Sequence, residues 1–414
     1  TEIQRATLSN VAIHSGERVL TLVEDRLART NREFANLSAY DLALWIAQNW
    51  WRLRWEPESG KADANWSMAH SLAAIGGGYV WPNVLVVSDG EQVRVQARPT
   101  RGERWEPIRY LESWDLSLTA CEFEGALSSF VESVLARLAS FRIENSELQA
   151  LWQELKAERF DPEVSNVRKR EALLGFDAGE APDELLDQLA ASAQREGSAA
   201  VDEVAAQFQS QSPEILTEVN DLLTQQGAHL EAAGLQDLAA QGASWDQAGP
   251  PWERATKAAQ LARKFWGLGR ERPVSNKQLL ELVGGSADLI TGHLPSKAPI
   301  SAARRSAVDP APLNVVLRSW KEEGRRFDLC RLVADSLQAP RGERLLPATK
   351  SKTSRQKFQR AFSQEFLCPS EALEEYFGSA IPDDEDIEDA ARHFEVSPLL
   401  VRSKLANLDI LPRF

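Results

Sequence analysis

The chain runs to 414 residues, 43% apolar and 26% charged, with a formal charge of −14, a composition that supports sizeable cores and predicts two or three domains. No stretch approaches the ~18 uncharged apolar residues of a membrane helix, and residues 1–30, with Glu2, Arg5, Glu17, Arg18, Glu24 and Asp25, lack a signal peptide's apolar centre, so no membrane association and a cytoplasmic location are expected. Three widely spaced cysteines, Cys121, Cys330 and Cys368, exclude a disulfide scaffold, and the acidic balance argues against whole-surface attraction to nucleic acid or anionic membrane.

Residues 1–145 read as a Trp-rich α/β domain. Helical periodicity predicts helices over Arg18–Arg29 and Tyr40–Leu53, the second with Leu42, Trp45, Ile46 and Trp50-Trp51 on its apolar face. After Gly76-Gly77-Gly78, the β-branched run Tyr79–Ser88 predicts a strand, and Asp89-Gly90 a tight turn into Gln92–Ala97. The triple glycine joins a helix to a strand, the reverse of the order in phosphate-cradling loops, so it reads as a turn. A long amphipathic helix is expected over Ala120–Phe141. Trp45, Trp50, Trp51, Trp55, Trp66, Trp81, Trp105 and Trp114 point to a large aromatic core, with a base-stacking or ligand platform as the alternative.

Residues 146–270 read as an acidic helical array. Breaks fall at Asp161-Pro162, Ala181-Pro182, Ser212-Pro213 and Gly249-Pro250-Pro251, where a proline after a capping residue starts a new helix. Between Ala181 and Pro250 there are twelve acids and one base, Arg195. That pattern suits a solvated helix surface, or a connector or partner-binding bundle.

In residues 271–414, Ser275 is a candidate N-cap for a helix over Asn276–Val283 that Gly284-Gly285 ends. A strand over Leu313–Arg318 then feeds a helix over Phe327–Leu337. The last segment, Asp386 to Leu405, has helix-turn-helix spacing, with Ser397 capping the second helix and Pro398 at its first position; only Arg402 and Lys404 could contact nucleic acid from that helix. Charge is concentrated here: the window Ser301–Arg360 carries fourteen Lys/Arg against six acids, a net +8, which leaves −22 elsewhere.

Two helical segments, Arg325-Arg326-Phe327-Asp328-Leu329-Cys330-Arg331-Leu332-Val333-Ala334-Asp335 and Gln356-Lys357-Phe358 onward through Phe366-Leu367-Cys368-Pro369, together with the run Asn314–Leu317 and the terminal helical unit, resemble the core of the ImmA/IrrE family of zinc metallopeptidases. That family's first helix reads R-R-F-x-x-x-H-E-x-x-H, with histidines four apart on one helical face to share a metal and a glutamate to activate its bound water. Matched to it, the first ligand falls on Arg331, the general base on Leu332, the second ligand on Asp335, and the third ligand of the next helix on Gln356. A permanent cation at the first position repels a divalent ion, and Leu332 cannot take a proton, so no metal, no cofactor and no catalytic residue is expected. The fold class expected is α+β: a mostly helical multidomain protein with a small sheet in the N-terminal domain and a short sheet in a zincin-like C-terminal domain.

The remaining chemistry lies in the cations. The histidines His14, His70, His229, His293 and His393 show no metal-ligand spacing, and Cys330 and Cys368 read as buried packing. Arg331, Lys350, Lys352, Arg355, Lys357 and Arg360 either pair with Asp328, Asp335 and acids of the middle array, or bind an anion: a phosphate-bearing ligand such as a nucleotide or nucleic-acid backbone, or a partner protein's acidic face. Arg331 and Arg360 are the candidates for direct contact, since guanidinium forks match phosphate oxygens. The sequence therefore predicts a non-catalytic binding protein with a protein partner. The resemblance implies a bacterial regulatory or stress-response role, in circuits such as the control of mobile-element repressors. The alternatives are a metallopeptidase with unusual ligands, Asp335, Glu365 and a histidine, or a DNA-binding regulator using Arg402 and Lys404.

Overall fold

Local signals start the helices, at Ser275, Ser397 and Asp161 as the sequence predicts and at Thr119 besides. Thr119 and Ser275 each form a capping box, Ser397 accepts from the Leu400 N–H, and Asp161 accepts from Glu163 and Val164 ahead of Pro162. Each side chain satisfies a backbone donor that the first helical turn leaves open. A computed structural model describes residues 1–412 except 59–62, 102–105, 232–233, 236, 239–247, 293–296, 307–311 and 379–380. Helix occupies 56% and small antiparallel sheets 14%, so the protein is α+β and mostly helical. No helix among the described residues is long and apolar enough to cross a membrane.

Contacts divide the chain into two units, Thr1–Leu186 and Asp187–Phe414. The sequence places boundaries instead at 145/146 and 270/271. The difference arises because the first helices of the acidic array, Glu147–Phe160 and Pro162–Leu173, bury Leu148, Trp152, Leu155 and Ala172 in the first unit's core. The later ones, Ser198–Phe208 and Ser212–Gln226, pack on the second unit's sheet.

In the first unit, Ala39–Gln48 and Trp50–Trp55 form two helices broken at Asn49, and the long helix is Ala120–Ser140. The hairpin forms as expected: Val84–Ser88 pairs with Gln92–Ala97, and Gly90 takes φ +96° at the turn. The strand begins at Val84 because Pro82 cannot donate to a ladder. Trp114–Thr119, which the sequence does not signal, completes a three-stranded sheet against Gln92–Ala97.

The helix expected over Arg18–Arg29 does not form. Arg18–Val19 and Val23–Asp25 are strands, and Val23 pairs with Tyr110 in the distant strand Ile108–Tyr110. The Asp25 carboxylate accepts the Ala28 N–H at 2.9 Å, and Arg29 has φ +53°, so local turn chemistry and burial of Leu20 and Val23 override helical spacing. Most of the tryptophans are core: Trp45, Trp50, Trp51, Trp66 and Trp81 are all buried, and Trp50 meets Trp152 edge-on at 5.5 Å. Trp105 lies outside the described residues.

The second unit is built on a four-stranded antiparallel sheet in the order Ala228–Leu230, Leu313–Val316, Ser301–Arg305, Leu345–Ala348. Only Leu313–Val316 is visible in the sequence. Ser301–Arg305 reads Ser-Ala-Ala-Arg-Arg, without β-branched residues, and is a strand because its neighbours pair with it. Leu345–Ala348 tolerates Pro347 because it is an edge strand. Ala228–Leu230 interrupts the array expected to be helical throughout. Against the sheet lies Glu322–Gln338, which starts one turn before the expected Phe327, and against that helix lies Ser354–Leu367. Phe358, Phe362 and Phe366 stack one per turn, with centroids 6.5 and 5.7 Å apart. The chain closes with Asp384–Phe394 and Pro398–Asn407, whose Ile387, Ala390, Phe394, Val401 and Leu405 are buried in the same core.

Gly197 holds a position no other residue suits. Its φ is +107°, and a Cβ there would sit 2.5 Å from the Glu343 carboxyl carbon. That closeness lets Glu343 accept the Ala199 and Ala200 N–H groups at 3.1 and 2.9 Å and cap the Ser198–Phe208 helix in place of a side chain at 197. Gly197→Ala is expected to destabilise the second unit by at least about 1–2 kcal/mol, the cost of a left-handed backbone alone, read as a lower midpoint in urea. A midpoint unchanged from wild type would refute the cap.

Candidate functional site

Residues three and four apart share a helical face, so Asp328, Arg331 and Asp335 form a polar stripe on Glu322–Gln338, and Gln356, Gln359 and Ser363 form one on Ser354–Leu367. The two stripes meet, and all six side chains are buried or nearly so. Of the positions matched to the metal ligands, Arg331 and Gln356 bond to one another, while Asp335 is taken by Arg355. Arg331 Nη2 donates to Gln356 Oε1 at 2.6 Å and to the Thr349 carbonyl at 2.5 Å, with Asp328 3.7 Å from Nη1. Gln356 Oε1 also accepts the Thr349 N–H at 2.8 Å, and the amides of Gln356 and Gln359 both donate to the Pro347 carbonyl. Leu332 is packed in the core.

Asp335, wholly buried, is held by Arg355 through two parallel bonds of 2.7 Å each. Glu343 approaches the same guanidinium at 3.8 Å. Glu203, from the acidic array, completes the ring: its carboxylate accepts from Thr353 at 2.7 Å and Ser351 at 3.2 Å, and Thr349 bonds to Ser351 at 2.9 Å. Glu203, Glu343 and the hydroxyl run escape a reading aimed at metal ligands. Their signal is the alternation Thr349, Ser351, Thr353, three hydroxyls in the stretch between the strand and the second helix.

Burial dominates the electrostatics. It pushes the Glu203 and Asp328 carboxyls up despite Arg355 and Arg331, and it lowers Arg331 despite Asp328 and Asp335. Arg355 goes the other way. Burial lowers it, but Asp335, Glu203 and Glu343 together raise it further. Arg360 is brought down to about 10 by burial and then by the charge of Arg331; it donates to the Ser351 carbonyl at 3.0 Å and makes no ion pair among the described residues. Lys350 and Lys352 are exposed and Lys357 is half-buried. The candidate cations thus separate into Arg331 and Arg355, turned inward onto acids, Arg360, largely buried with the charge of Glu203 partly offsetting that of Arg331, and the more exposed lysines.

The set of groups at the matched positions does not suit zinc. Arg331 brings a fixed positive charge, Gln356 is already engaged through both ends of its amide, and Asp335 is clamped by Arg355. Among the described residues no group of three or more His, Cys, Asp or Glu is placed to hold a metal ion. Nor does the unusual ligand set assemble. Glu365 follows Gln356 by about two and a half turns and so faces the opposite side of the helix, where it pairs with Lys404 and accepts from Gln260 and Ser370. His229 is exposed beside Asn314, His393 packs against Tyr376, and His293 lies outside the described residues. His70, in the first unit, is buried between the Val86 carbonyl and Glu56, which Arg52 also holds; the sequence shows that histidine as isolated.

The terminal helices place the candidate nucleic-acid contacts on internal partners. Lys404 is buried against Glu365, and Arg402 pairs with Asp384. Cys330 and Cys368 are buried, with burial pushing both thiols up to about 12, so neither is a reactive thiolate. No family model, no curated protein and no solved structure matches this chain.

The raised Glu203 carboxyl has a consequence for stability. A carboxyl whose folded value lies above its unfolded one of about 4.3 favours the fold at low pH and loses that contribution as pH rises through the folded value. Glu203→Gln keeps an acceptor for Ser351 and Thr353 but cannot ionise. Relative to wild type, the variant should gain stability as pH rises above the unfolded carboxyl's value of about 4.3, measured by denaturant melts across a pH series. A difference that stays constant with pH would contradict the assignment.

Proposed function

We propose that the second unit is a non-catalytic binding module of a regulatory or stress-response protein, built on an ImmA/IrrE-like framework whose metal seat is filled by its own side chains. One observation supports this: the Arg331 guanidinium, at the position the resemblance matches to the first metal ligand, is bonded to Gln356 and the Thr349 carbonyl. Leu332, at the general-base position, cannot take a proton from water. The placements of Glu365 and Lys404, each holding the other, weigh against both the unusual-ligand peptidase and the DNA-reading terminal helix.

The ligand is a phosphate-bearing or acidic group held by Arg360 with Lys350 and Lys352. Support comes from Arg360 itself, a largely buried guanidinium that faces the charge of Arg331 and makes no ion pair among the described residues. An anion there would relieve the repulsion and complete its hydrogen bonds. The exposed Lys350 and Lys352 add positive charge beside it.

Calorimetric titration of the full chain with pyrophosphate and with an acidic peptide should detect binding that weakens steeply with salt. Lys350→Glu/Lys352→Glu should lower the affinity by at least about tenfold, as expected for reversal of two charges close to an anion, with no change in the melting temperature. Zinc or a chelator should leave that temperature unmoved. Absence of binding to either probe, binding indifferent to the double substitution, or stoichiometric zinc whose removal lowers the melting temperature would each overturn the proposal.

A further inference from the structure

The first unit carries a separate cleft that the tryptophan core does not explain. It has a volume of about 350 Å3 and is lined by Trp50, Trp55, Arg54, Lys156, Arg159 and Phe160, with Glu124 beneath. That size lies within the range of small-molecule sites. We propose that this cleft binds a nucleotide unit, the base stacking on Phe160 and the phosphate held by Arg54, Lys156 and Arg159.

The charges point to an anion. Arg54 donates to one oxygen of Glu124 at 2.6 Å and Arg159 to the other at 3.1 Å, so one carboxylate serves two guanidiniums. Lys156 adds a third cation whose partner, Glu132, is 3.7 Å away, with both ends largely exposed, a pair of little strength. Within a chain of net charge −14 this is a local excess of two positive charges among the lining residues. The guanidiniums are also prepositioned. Arg54 lies 3.9 Å over the Trp55 ring and Arg159 4.4 Å over Trp50, so the indoles fix them before any ligand arrives.

An aromatic ring at the mouth points to a base. Phe160 is 87% exposed, and it sits on the same helical face as Lys156, one turn on. Asp161 cannot draw it inward, because that residue caps the next helix through the Glu163 N–H at 2.9 Å. A wet phenyl ring beside three cations is what a nucleobase with an attached phosphate would cover: base–aromatic stacking is tolerant of sequence, and the phosphate meets planar donors. The same unit could come as a free nucleotide or within a single strand.

The test is fluorescence and calorimetric titration of the full chain with AMP, with an oligothymidylate of about eight nucleotides and with inorganic phosphate. AMP or the oligonucleotide should bind at least tenfold more tightly than inorganic phosphate. AMP binding assigns the free nucleotide as sufficient; binding of the oligonucleotide alone assigns the strand. Phe160→Ala should weaken binding by about tenfold, the scale of one stacked base, and Lys156→Glu by a similar factor that shrinks at high salt. Both residues are exposed, so melting temperatures should be unchanged, and Lys350→Glu/Lys352→Glu should leave this binding intact. Failure of both AMP and the oligonucleotide to bind below about 1 mM, or unaltered affinity in Phe160→Ala, would overturn the proposal.

Discussion

The second unit depends on the clamp between Asp335 and Arg355. A wholly buried carboxylate is tolerable only with a partner of matching geometry, and the two parallel 2.7 Å bonds supply it. Much else follows from that one contact. It joins Glu322–Gln338 to Ser354–Leu367, and it sets Arg355 within reach of Glu343. Glu343 in turn caps the Ser198–Phe208 helix across Gly197, and Arg305 closes the C-terminal end of Glu322–Gln338 by donating to the Ser336 and Ala339 carbonyls. Charges that the sequence scatters over residues 196–360 are brought into one balanced network.

That network explains why a +8 window need not be a sticky surface. Asp328, Asp335, Glu343 and Glu203 stand against Arg331 and Arg355. The cost of burial is visible in the direction of the shifts: Asp328 and Glu203 are raised and Arg331 is lowered, each by loss of solvent. A network of this kind stabilises less than its number of contacts suggests. It does impose a single arrangement on the two helices, because every wrong pairing strands a charge.

What the sequence discloses follows from range. Caps act over three or four residues, so Ser275 and Ser397 mark their helices correctly, and the Asp89-Gly90 hairpin is plain. Helical spacing likewise places Asp328, Arg331 and Asp335 on one face, where Arg331 meets Gln356 of the next helix. Pairings with no local signature escape. Ser301–Arg305 and Ala228–Leu230 are strands because of distant neighbours, and Arg18–Arg29 has helical spacing that Tyr110 and an Asp25 turn override. Glu203 and Glu343 look like two of many solvated acids until the fold buries them.

The most direct test of this self-paired network is a double-mutant cycle on its central clamp. Asp335→Leu and Arg355→Met should each cost about 3–5 kcal/mol, because each leaves the other charge buried and unmatched. The double substitution, which removes both charges, should cost far less than the sum, giving a coupling of at least about 2 kcal/mol. Single substitutions whose costs simply add would show that the two side chains do not hold one another, and the account of the second unit would fall with them.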